Sequence, residues 1–216
     1  MSTHSPHSEA ICGVILAGGK ATRMGNQPKG LLKLGEQLLL ERVIEKALPQ
    51  VNHLLLNSNE TLPAYENTGL PILADSLTGH LGPLAGILTA MEWCQEHHPE
   101  TQWLASFAVD TPFFPEDLVS QLLHRAQQED QNTEIICSTY EGRRQPTFCL
   151  WRISQADELR IALSKQQLYR VGGWLSQRET SELALDTVAN ATLPTPFFNI
   201  NTPADLAQAQ TLLETL

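Results

Sequence analysis

Apolar residues occur along this chain in short blocks separated by glycine- and proline-containing loops, and the spacing within each block predicts its conformation. Ile11 to Leu16 is a short apolar run delivered into Ala17-Gly18-Gly19, the pattern of a buried strand ending in a glycine loop. From Leu38 to Leu48 apolar positions recur at helical spacing, and Pro49 is expected to stop that helix. His53 to Leu56 and Leu70 to Ala74 read as further buried strands, the first followed by Asn57-Ser58-Asn59 and the second by Asp75. After the loop Thr78-Gly79-His80-Leu81-Gly82, Pro83 at a helix start with apolar Leu84, Ile87, Leu88 and Met91 predicts an amphipathic helix. Trp103 to Val109 is the most continuous strand candidate and ends in Asp110-Thr111-Pro112. Pro115, Glu116 and Asp117 then open a helix with Leu118, Leu122, Leu123 and Ala126 on one face.

Strands alternating with helices in this way imply a mostly parallel sheet covered on both faces. The second half departs from that rhythm: Ile135 to Tyr140 and Thr147 to Ile153 flank Glu141-Gly142-Arg143-Arg144-Gln145-Pro146, which reads as a hairpin-like excursion. Two short helices, around Ala156 to Leu163 and Leu168 to Leu175, precede a weak strand at Leu183 to Val188. In the closing segment Thr202 caps a last helix, Pro203 takes its first position and Asp205 completes a capping box. The expected fold is a single-domain, Rossmann-like three-layer α/β/α architecture over residues 11–216, its mostly parallel sheet carrying an antiparallel strand or hairpin in the second half. Residues 1–10, with His4 and His7 among Ser and Pro, are expected to form a disordered tail.

Composition removes several function classes. With 42% hydrophobic and 18% charged residues the chain is neither disordered nor fibrous. A net charge of −10 argues against nucleic acid as a partner, because a phosphate backbone calls for clustered Lys and Arg. No run approaches the roughly 18 to 20 apolar residues of a membrane span, and the first residues lack a secretory pattern, so a cytoplasmic location is expected. Cys12, Cys94, Cys137 and Cys149 lack the paired spacing of zinc or redox sites and read as small apolar fillers.

The richest stretch runs from Leu16 to Gly30. Its glycines let backbone N–H groups turn toward a ligand, and Arg23 and Lys29 add positive charge over the same few residues. In an acidic chain that cluster points to a polyphosphate site. A Walker-type phosphate loop does not fit, since Gly19-Lys20 is followed by Ala21, and the glycine spacing of the dinucleotide fingerprint is absent.

The loop resembles that of the molybdenum cofactor guanylyltransferases, within the nucleoside-triphosphate transferases. Further matches are Asn57-Ser58-Asn59, Asp75-Ser76, Gly82-Pro83-Leu84-Ala85-Gly86, Asp110-Thr111-Pro112, Pro146-Thr147 and Asn199-Ile200-Asn201-Thr202-Pro203. The resemblance implies GMP transfer from GTP to Mo-molybdopterin with release of pyrophosphate and with Mg²⁺ as cofactor. By the same resemblance Leu16, Ala17, Gly18 and Gly19 line the nucleotide, Arg23 and Lys29 hold its phosphates, and Asn57 and Asp75 fix the nucleoside end. Asp110 holds the metal, Asn199 and Asn201 lie toward the molybdopterin, and Gly82 borders the path between the substrates. Transient contact with proteins that deliver or accept the cofactor is a further implication.

Two positions depart from the family pattern. Pro28 stands where an acidic residue often precedes the lysine, and Gln145 stands where a histidine is frequent. Arg143 and Arg144, expected at a hairpin tip, are either solvated or within reach of an anionic pterin phosphate. The rival functions are the cytidylyltransferase relative, a sugar-phosphate nucleotidyltransferase and a non-catalytic nucleotide or cofactor carrier on the same fold. The Gly82–Gly86 run argues against the first, Ala21-Thr22-Arg23 and Lys29-Gly30 against the second, and the joint presence of Arg23, Lys29 and Asp110 against the third.

Overall fold

The computed structural model describes residues 10–18, 20–21, 27–79, 81–185 and 196–214. Strand β1 (Ile11–Leu16) leads into two small antiparallel ladders, β2 (Lys20–Ala21) with β3 (Gln27–Pro28) and β4 (Lys33–Leu34) with β5 (Gln37–Leu38). Helix α1 (Leu39–Ala47) returns the chain to β6 (His53–Asn57), and the short α2 (Pro63–Glu66) precedes β7 (Ile72–Leu73). Then follow α3 (Pro83–His97), β8 (Trp103–Ala108), α4 (Leu118–Gln128), the hairpin β9 (Ile135–Tyr140) and β10 (Arg143–Arg152), α5 (Ala156–Lys165), α6 (Val171–Leu175), β11 (Thr180–Ala184) and α7 (Pro203–Leu213).

The seven-stranded sheet has the order β11-β9-β10-β8-β1-β6-β7. Only β10 runs against the rest: β1 is parallel to β6 and β8, β6 to β7, and β9 to β11, while β10 is antiparallel to both β8 and β9. Side chains alternate between the two faces, which is why the central strands read as continuous apolar runs. Ile11 and Ile15 pack with Leu40 and Val43 of α1 and with Leu118 and Leu122 of α4. Cys12, Val14 and Leu16 face the opposite layer, with Ile87, Leu88 and Met91 of α3 and Leu159 of α5. All four cysteines are free and buried among these apolar side chains. A third, smaller cluster joins Leu32, Leu34, Leu39, Phe113, Ile200 and Ala209. Among the described residues no helix is long and apolar enough to cross a membrane.

Several boundaries differ from those expected. Helix α1 ends at Ala47, and Pro49 lies inside a following 3₁₀ turn, Leu48–Gln50, whose φ a proline satisfies. Pro115 to Asp117 form a turn, and helix α4 starts only at Leu118. The strand expected over Leu70–Ala74 shrinks to Ile72–Leu73, and the helix expected from Leu168 begins at Val171, after Gln167 at φ +56° interrupts the path. The six-residue excursion between β9 and β10 is a correction of another kind. Glu141 and Gly142 both have positive φ, the signature of a two-residue hairpin loop, so Arg143 to Pro146 already belong to β10. Pro146 is accommodated because the register shifts between Arg144 and Cys149. The last strand, expected over Leu183–Val188, is Thr180–Ala184, set by its pairing with β9; residues 186–190, like the 1–9 tail with His4 and His7, lie outside the described residues.

Candidate active site

Chain direction places the site. From β1 the chain moves outward to β6 and β7, then crosses back to β8 on the other side of β1, and open α/β sheets bind ligands at such a switch, beyond the carboxyl ends of the strands. A cavity of about 550 Å³ opens there, lined by the ends of β1, β6 and β8, the start of α3 and the segment before α7. It gathers Leu16, Ala17, Gly18, Lys29, Asn57, Asp75, Gly82, Asp110, Asn199 and Asn201, all the expected site residues that fall within the described chain. Gly19 and Arg23 lie outside it.

At one end Asp110 follows β8 and its carboxylate accepts from the Lys29 ammonium at 2.6 Å, with the two side chains only 14% and 17% exposed. Lys29 opens a 3₁₀ turn, Lys29–Leu31, directly after β3, in which Pro28 is extended and pairs with Lys20. Proline therefore suits this path to the lysine. Gly30 is needed beside it, because a Cβ there would sit 3.1 Å from the Tyr65 hydroxyl and 3.2 Å from Val109. Lys29 also donates to the side-chain oxygen of Asn201. That contact spans most of the chain, and its cause is Ile200, fully buried against Leu34, Leu39 and Phe113, whose N–H donates to the Asp110 carbonyl at 2.8 Å. With Ile200 inward, Asn199 and Asn201 on either side of it line the cavity. Asp205 locks the turn by accepting from the N–H groups of Asn201 and Thr202.

At the other end Asn57, the last residue of β6, donates to the Leu73 carbonyl at 3.1 Å and to Asp75 Oδ1 at 2.9 Å. Asn59 donates to Asp75 Oδ2 at 2.8 Å and accepts from the Asp75 N–H at 2.8 Å. Ser76 N–H donates to Thr89 Oγ1 of helix α3, tying the Asp75 turn to that helix. Gly82, at φ 75° and ψ −167°, caps α3 in a conformation that favours glycine, and aims the start of a 15-residue helix at the cavity, a favourable end for anions. Gly86 is forced by proximity: a Cβ there would lie 2.2 Å from Asn57 Oδ1.

Thr147 reaches the same rim because β10 runs antiparallel, and its carbonyl accepts from Ser106. Arg144 forms an ion pair with Glu182 at 2.7 Å, and neither Arg143 nor Arg144 lines the cavity. Ser58, Asn59, Glu60 and Leu81 line the cavity without having been singled out individually. Asn59 was legible, since residues two apart at a strand end share a face. Among the described residues no group of three or more His, Cys, Asp or Glu could hold a metal. The Asp110 carboxylate at the end of β8 suits a hard cation that completes its shell with water and substrate oxygens rather than with a protein cage.

A molybdenum cofactor guanylyltransferase of Mesorhizobium japonicum is 40% identical over 95% of this chain and 97% of its own length. One of Rhodopseudomonas palustris is 38% identical over 91% of both. Among solved structures, molybdopterin-guanine dinucleotide biosynthesis protein A of Archaeoglobus fulgidus superposes with a TM-score of 0.76 at 22% identity, covering 95% of this chain and all of that one, which speaks to the fold. Residues 13–180 match the MobA-like NTP transferase domain, and the chain belongs to that family.

Proposed function

We propose that this chain is a molybdenum cofactor guanylyltransferase, which joins the terminal phosphate of Mo-molybdopterin to the GMP moiety of GTP. The observation that carries the reading is one cavity with two chemically different ends, a carboxylate held by two amides at Asp75 and an ammonium–carboxylate pair at Lys29 and Asp110. The 34–40% identity to guanylyltransferases over nearly the whole chain supports it.

A phosphate oxygen of the acceptor attacks the α-phosphorus of GTP, a new P–O bond forms, and the bond to the bridging oxygen breaks, its electron pair leaving with pyrophosphate. The acceptor phosphate is already ionised at neutral pH, so no protein base is required. Catalysis rests on positioning and charge. Lys29 has three ammonium donors; Asp110 and Asn201 take two, and the third is available to a phosphate oxygen. Asp110 is the residue that would hold Mg²⁺, which supplies charge neutralisation on the triphosphate. Asp75 accepts from the N–H edge of guanine, Asn199 and Asn201 border the molybdopterin side, and the start of α3 at Gly82 lies between the two substrates. Gly19 and Arg23 complete the phosphate-holding loop. The chain works in the cytoplasm, where it meets the proteins that deliver or take up the cofactor.

The test is pyrophosphate release with GTP, CTP and ATP in turn, with Mg²⁺ and Mo-molybdopterin supplied, for the native chain and Asp110→Ala. Release from GTP alone, reduced on the order of 10²-fold or more in the variant, is the expected result. Preference for CTP would move the assignment to the cytidylyl relative. No release with any nucleotide would leave a binding protein.

A further inference from the structure

The Asp75 carboxylate sits beyond the end of β7, where no regular element holds it, yet both of its oxygens are engaged. Asn57 donates to one, Asn59 to the other, and Asn59 takes the Asp75 N–H in return, closing a ring of hydrogen bonds between the two residues. Asn59 is exposed, and an exposed amide–carboxylate bond adds little to folding. Its two bonds act on direction: they settle which way the plane of the carboxylate faces. Asn57 is pinned in turn by the Leu73 carbonyl and by the missing Cβ of Gly86, and the Ser76 N–H is held by Thr89. A carboxylate offers about four lone-pair sites. The two asparagines use two, and the remaining pair can accept two adjacent N–H groups of a planar ligand.

We propose that Asn59 is a positioning residue for base selection: it orients Asp75 so that the carboxylate accepts N1–H and the 2-amino group of guanine together. This inference rests on Asp75 reading the base, as in the function proposed above. A purine lacking the 2-amino group fills only one of the two oriented sites, so the preference for guanosine over inosine nucleotides measures the orientation directly.

The experiment titrates GTP and ITP into the full chain with Mg²⁺ present, for the native protein, Asn59→Ala, Asn59→Asp and Asp75→Asn. Asn59→Asp separates the roles, because it keeps the acceptor for the Asp75 N–H and loses the amide donor. Both Asn59 variants are expected to weaken GTP on the order of tenfold and ITP much less, with Asn59→Asp at least as affected as Asn59→Ala because it sets two carboxylates against each other. If Asn59 only shaped the turn, Asn59→Asp would shift GTP and ITP binding alike, and that result overturns the assignment. An unchanged GTP-to-ITP ratio in the Asn59 variants, beside a collapsed ratio in Asp75→Asn, overturns the role of Asn59 alone. A ratio unchanged in all three overturns the reading of Asp75 as well.

Discussion

Replacing Gly86 with alanine should unseat Asn57 and loosen the nucleoside end of the cavity from behind. The new methyl would lie 2.2 Å from Asn57 Oδ1, 2.6 Å from its Cγ and 2.9 Å from Leu16 Cδ2. Carbon and oxygen in contact need well over 3 Å, and Gly86 lies in the fully buried stretch of α3, so the helix cannot retreat. Asn57 must swing away, and its bonds to Leu73 and Asp75 go with it. Two hydrogen bonds at about 1 kcal/mol each and about 1–3 kcal/mol of overpacking are lost, against a gain of about 1 kcal/mol from alanine in a helix. A net destabilisation of about 2–4 kcal/mol follows, read as a lower urea midpoint with an unchanged slope. GTP binding should weaken in the same variant, because Asp75 loses one of its two holders. A Gly86→Ala protein that is more stable than the native chain, as helix propensity alone would make it, would refute this account of Asn57.

The Tyr65 hydroxyl is buried without a hydrogen-bond partner among the described residues, and burial pushes its pKa up to about 12. Between the ordinary phenol value near 10 and that figure the native state holds a proton the unfolded chain has lost, so native stability is level below about pH 10 and falls as pH rises toward 12, by roughly 3 kcal/mol in all. Tyr65→Phe should match or exceed native stability at pH 7 and lose less on titration from pH 9 to 12, followed by urea unfolding; parallel curves would contradict it. The four free cysteines are fully buried, and burial raises the Cys149 thiol well above its usual range. A thiol reagent at pH 8 should therefore label the native protein slowly and all four sites after unfolding, with rapid labelling of the native state as the contrary result.

The parts of this protein set by local chemistry were legible in its sequence. Apolar runs announced β1, β6 and β8, the periodicity and Pro83 announced α3, and Thr202-Pro203 with Asp205 announced the cap of α7. Strand–helix alternation was enough to place Leu16, Asn57 and Asp110 on one rim, because parallel strands share their carboxyl ends. Element boundaries were less legible where tertiary pairing outweighs propensity: β10 extends back through Arg143 because β9 and a two-residue loop hold it there, and β11 takes its register from β9. The couplings inside the site belong to the tertiary structure alone. Lys29 meets Asp110 and Asn201 only because buried Ile200 docks the segment before α7 against β4, α1 and Phe113. Asp75 meets Asn57 and Asn59 only because β7 lies beside β6. Local sequence carries the propensity of each element, whereas the direction of a side chain at a loop end is set by contacts with residues distant in the chain, and those exist only once the layers have packed.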